Sequence, residues 1–105
     1  MDRNIARLEP QIVWGYFQQL TKIPRPSKKE EKVRTYLIET AIQMGLEYKV
    51  TDIGNLVIRK KATDTNPTHK KLILQAHMDM VPSKTKESQH NFETDPIDAY
   101  IDGDW

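Results

Sequence analysis

The chain contains no cysteine, which excludes a disulfide frame, a thiolate zinc site and a cysteine nucleophile together. A reducing compartment such as the cytoplasm fits that absence. No apolar run approaches the roughly 18 residues that mark a membrane span, and the opening MDRNIARLEP lacks the basic-then-apolar order of a secretory signal. Charge of one sign is missing as well: 16 Lys and Arg stand against 15 Asp and Glu, leaving +1. That balance gives no electrostatic ground for expecting nucleic acid or an anionic membrane as partner. Apolar residues are scarce, 37% of 105, and mean hydropathy is −0.71. So short a chain holds one domain at most, and one this polar can bury only a small core. It stops at IDGDW, a turn pair and a tryptophan where a strand is expected to continue. These features together predict a piece of a larger cytoplasmic protein.

What is present has a clear order. IVWGYFQQLTKI places Ile12, Val13, Tyr16, Phe17, Leu20 and Ile23 near one helical face. Trp14, Tyr16 and Phe17 are read as core. IPRP ends this helix, because each proline lacks an amide donor and restricts the residue before it. Ser27 with Glu30 three residues later has the form of a capping box opening a second helix. Val33, Leu37, Ala41 and Met44 follow at helical spacing, and Gly45 is a natural stop. The period then shortens: LEYKVT, a DIGN turn and LVIRKK read as a hairpin. ATDTNPTH is a polar loop, and residues 71–76 predict a third, central strand. A short strand is expected at 99–101, with a tight turn at Asp102-Gly103. The fold class is therefore α/β, two helices followed by a mixed sheet.

The stretch LILQAHMDMVP, residues 72–82, carries the chemistry. Ligands collect at the carboxyl ends of strands in open α/β sheets, and His77 stands at such an end. A neutral imidazole there is a good donor to zinc or another borderline divalent cation. Asp79 could bind metal itself, or accept a hydrogen bond from the ring's far nitrogen and so fix tautomer and direction. Pro82 would stiffen the exit. On spacing alone His-x-Asp is a weak signal, and a solvated histidine at a strand end is the favoured reading.

In full context LQAHMDMVP resembles the first metal-ligand motif of the M20-type zinc metallopeptidases, and HMDMV is most similar to their aminoacyl-histidine (Xaa-His) dipeptidase branch, peptidase D. IPRPSKKEEKV resembles that branch's Pro-x-x-Ser segment, TDIGNLVIRK its Asp-x-x-Gly-Asn hairpin, and DPIDAYIDGDW the approach to its next metal motif. Four collinear matches cover nearly the whole chain. The resemblance implies that residues 1–105 are the N-terminal part of a phosphorylase/hydrolase-like zinc-peptidase catalytic domain, with an inserted second domain elsewhere. It implies His77 as ligand to one of two zinc ions, with manganese or cobalt as alternatives, and Asp79 as the catalytic-site carboxylate behind it. The implied reaction is hydrolysis of dipeptides, Xaa-His favoured, with a glutamate as general base and a homodimer as the assembly. The bridging aspartate, that glutamate and the remaining ligands have no counterpart among these residues. A catalytic zinc takes three protein ligands, so this chain alone is expected to bind zinc weakly and to hydrolyse nothing.

Other candidates have plainer readings. His69 and His90 lie in polar loops and are read as solvated. Asp95, Asp98, Asp102 and Asp104 lack the glycine and distal glutamate of an EF-hand. Lys84 and Lys86 are read as solubilising, with a substrate carboxylate as the alternative, and Ser83 and Ser88 have no base at a readable spacing. The mixed charges of Ser27-Lys28-Lys29-Glu30-Glu31-Lys32 read as a solvated helix start. Two competing functions remain: a related M20 tripeptidase or aminoacylase, and a non-catalytic α/β module binding partners through exposed sheet edges.

Overall fold

The computed structural model describes residues 2–64, 66 and 68–105; Thr65 and Pro67 of the polar loop, and Met1, lie outside the described residues. A single 3-10 turn, Ile5–Arg7, leads into helix α1, Gln11–Thr21, and then α2, Glu31–Gln43. Strands β1, Glu47–Val50, and β2, Leu56–Arg59, complete the regular structure.

Helix α1 begins where the Pro10 carbonyl accepts from Val13 and Trp14, and ends as expected before Pro24, which cannot extend it. Helix α2 buries the stripe centred on Val33 and Ala41, each 1% exposed, because positions four and eight apart share one face. Its end is a Schellman motif: Gly45 takes φ +70°, Leu46 N–H donates to Ala41 and Gly45 N–H to Ile42. Only a residue without a Cβ adopts that left-handed turn freely. The strands pair antiparallel in the register Tyr48 opposite Ile58. Their turn is closed by Thr51 N–H to Asn55 O at 2.8 Å and Gly54 N–H to Thr51 O at 2.9 Å. Arg34 on α2 donates through Nε to Gly54 O at 2.8 Å, fixing the hairpin against the helix.

The rest of the chain is stapled by single hydrogen bonds. Ile101 N–H donates to Arg3 O and Ile97 N–H to Thr21 O, while the Arg3 guanidinium lies 4.1 Å from the Tyr100 ring centre. A radius of gyration of 16.8 Å exceeds the about 13 Å of a closed domain this size. The apolar surface is accordingly not all enclosed.

Four expectations are corrected here. Ser27 and Glu30 form no capping box: Glu30 itself is the residue before the helix and makes no side-chain cap. Residues 71–76 form no strand, with Leu72, Ile73 and Leu74 at 83, 88 and 87% exposure; a strand needs a neighbour to satisfy its backbone, and among the described residues none pairs with them. The described sheet has two antiparallel strands, and a parallel bridge, Pro26 to Met80, stands apart from it. The strand at 99–101 reduces to one antiparallel bridge, Tyr100 to Asn4. Tyr16 and Phe17 are exposed and Trp14 is half-buried, meeting Phe17 edge-on at 5.8 Å. On the apolar face of α1 read from its period, Leu20 and Ile23 are half-buried while Ile12, Val13, Tyr16 and Phe17 stay exposed. The turn at Asp102-Gly103 is present, closed by reciprocal backbone bonds between Asp102 and Trp105 with Gly103 at φ +61°.

Candidate functional site

The proline-rich segment after α1 grips the segment that carries the histidine. Met80 N–H donates to Arg25 O at 2.8 Å and Ser27 N–H donates to Met80 O at 3.2 Å. Pro26, between them, is buried, and its missing amide costs nothing because the flanking residues make the bridge. The Arg25 guanidinium adds a bond through Nη1 to Met78 O at 3.1 Å. Residues 78–80 are thereby held at three backbone points, on both sides of Asp79.

Asp79 is the hub. Its Oδ1 lies 2.9 Å from His77 Nδ1, and its Oδ2 accepts from the Ser27 hydroxyl at 2.5 Å. The Ser27 bond, then the His77 bond, hold the Asp79 carboxyl below its ordinary pKa, against a smaller opposing effect of desolvation. An ionised carboxylate only accepts hydrogen bonds, so Nδ1 must carry the ring proton. The Nε2 lone pair is then left free on a side chain 77% exposed. That is the form in which a neutral imidazole binds a metal.

The turn that delivers Ser27 is strained. Lys28 has φ +73°, alone among the non-glycine residues described, a conformation that costs an L-residue roughly 1–2 kcal/mol. Lys29 N–H to Pro26 O at 2.9 Å closes the turn, and Glu30 accepts the Lys28 amide at 2.6 Å. The bonding capacity anticipated for a helix cap is spent on this turn and on Asp79.

The donor set fits a divalent cation as one ligand only. Among the described residues no three His, Asp or Glu side chains converge on a common point, and both Asp79 oxygens are already engaged. Sequence reading paired His77 with Asp79 correctly but missed Ser27 and Arg25. The signal for Ser27 was ambiguous, since its spacing to Glu30 suits a capping box.

The remaining candidates lie elsewhere. His69 pairs with Asp64 at 3.1 Å on the surface. His90 is not simply solvated, contrary to expectation: it packs edge-on against Phe92 at 4.6 Å, and its Nε2 is shielded from solvent with no hydrogen-bond partner among the described residues. It borders a cavity of about 140 Å³ with Phe17, Leu20, Met80 and Phe92. Lys84 reaches back to the His90 carbonyl at 2.6 Å, so it ties the loop down. Asp95 accepts the Asn91 amide at 2.8 Å, a bond that lowers its pKa. No helix described is long and apolar enough to cross a membrane.

No protein-family model matches the chain. It is 41% identical over 102 residues, 97% of its length, to the cytosol non-specific dipeptidase of Escherichia coli (strain K12), and covers 21% of that protein. The crystal structure of aminoacylhistidine dipeptidase from Vibrio alginolyticus matches with a TM-score of 0.90 at 40% identity, over 96% of this chain and 21% of that one. The α/β class and the resemblance to aminoacylhistidine dipeptidase, read from four short motifs, are thus borne out across nearly every residue. The chain spans 21% of the length of both relatives.

Proposed function

We propose that this chain is the N-terminal part of the catalytic domain of a metal-dependent dipeptidase. The observation that carries the reading is the His77–Asp79–Ser27 relay, in a chain 41% identical to a dipeptidase. His77 Nε2 is the single ligand these residues supply, and Asp79 orients it. Zinc, or manganese or cobalt at a site of imidazole and carboxylate donors, would supply Lewis acidity toward the scissile carbonyl of a dipeptide. What this chain contributes is direction: an ionised carboxylate behind the ring makes Nε2 a stronger donor and holds it at one angle. The other ligands and the general base belong to further polypeptide, which also covers the open face of α1 and pairs with residues 71–76.

The favoured substrate class is Xaa-His dipeptides, with a cytoplasmic setting and a homodimer as the assembly. The name of one relative supports broader specificity and the name of the other supports histidine. Assays of the longer protein on β-alanyl-histidine and on dipeptides without histidine, with and without a chelator, test both points. Hydrolysis lost with chelator and with His77→Ala is the expected result. Chelator-resistant hydrolysis refutes the metal reading, and equal rates on all dipeptides refute the preference.

A further inference from the structure

We propose that Ser27 is a positioning residue that keeps the His77 imidazole in its metal-facing tautomer, acting through Asp79; this rests on the reading of His77 as a ligand. A free histidine in water favours the proton on Nε2, the wrong form for a ring that must donate through that atom. His77 is exposed, and among the described residues its ring bonds only to Asp79. The tautomer therefore depends on how firmly that carboxylate is aimed.

Asp79 has two oxygens and two side-chain partners. Oδ1 takes the ring proton and Oδ2 takes the Ser27 hydroxyl, so the serine stops the carboxylate from rotating about its last bond. Ser27 itself is fixed by its amide to Met80 O and by the left-handed Lys28 that follows it. Strain of this kind persists where the surroundings enforce it, and it clusters at functional positions. Ser27 lies three residues before Glu30, the residue that precedes α2, and its hydroxyl is turned toward a carboxylate 52 residues away.

The test uses Ser27→Ala and Ser27→Thr in the full chain, read by long-range nitrogen–proton NMR of the His77 ring at about pH 8.5, where an ordinary histidine is neutral. The wild type and Ser27→Thr are expected to show the Nδ1–H form. Ser27→Ala should shift the tautomer ratio toward Nε2–H by about threefold or more, and weaken zinc uptake at Nε2 by about threefold to tenfold, below the loss seen when a direct carboxylate partner is removed. An unchanged ratio in Ser27→Ala, with hairpin resonances intact, overturns the proposal. Should Ser27→Ala disturb the fold, Ser27→Val against Ser27→Thr makes the same comparison between side chains of one shape. A tautomer that depends on Ser27 without any zinc response in the wild type supports the role of Ser27 and refutes the metal reading instead.

Discussion

Zinc binding by the 105 residues can be worked out from the donor set and then measured. Structural zinc sites with four protein ligands bind with about 10–16 kcal/mol, or about 2.5–4 kcal/mol per ligand. His77 Nε2 is one donor, Asp79 is occupied at both oxygens, and no third group converges among the described residues. One ligand's share corresponds to a Kd of about 1–15 mM. The assay is a zinc titration followed by the His77 ring resonances, with isothermal titration as a check for tighter sites. His77→Ala should remove the response, and Asp79→Asn should weaken it, because an amide can offer its NH2 as well as its oxygen and no longer enforces the tautomer. Sub-micromolar binding lost in His77→Ala would refute the reasoning. It would mean that further ligands reach the ring, and that the open arrangement around residues 71–80 closes when metal arrives.

Two predictions concern the scaffold and its charges. Gly54→Ala should destabilise the chain by about 2–3 kcal/mol: φ of +90° disfavours any Cβ by roughly 1–2 kcal/mol, and the new methyl would sit 2.7 Å from Arg34 Nη2, weakening a hydrogen bond worth about 1 kcal/mol. Denaturant melts should show the second part vanish in an Arg34→Ala background, and a full cost there refutes the contact. Glu93 has its pKa lowered by the Lys29 ammonium that donates to it. A depressed carboxylate contributes stability above its unfolded pKa and loses it as pH falls through the lower folded value. Carbon NMR titration should therefore find Glu93 rising to its ordinary value in Lys29→Ala, and also in about 1 M salt, which screens exposed pairs.

Local rules sufficed for the parts of this chain that are local. The Val33–Ala41 stripe, the Gly45 stop and the DIGN turn each depend on a few adjacent residues whose backbone needs are met nearby, so their pattern is legible. His77 and Asp79 were legible as a pair for the same reason, being two residues apart. The third strand was not, because residues 71–76 have the apolar content of a strand but need a neighbour's amides and carbonyls to become one. Trp14, Tyr16 and Phe17 were likewise read as core, but Trp14 is only half-buried and Tyr16 and Phe17 stay exposed.

Amino-acid order by itself determined the helix stops, the hairpin turn and the proximity of an imidazole to a carboxylate. Only the tertiary structure decided what Ser27 does. Its hydroxyl can accept from a backbone amide or donate to an acceptor, and nothing local in the sequence chooses between them. The Pro26–Met80 bridge, a contact across 54 positions, places Asp79 Oδ2 within reach. An ionised carboxylate is a stronger acceptor than any neutral partner, so the serine turns to it, and the direction of the His77 ring follows.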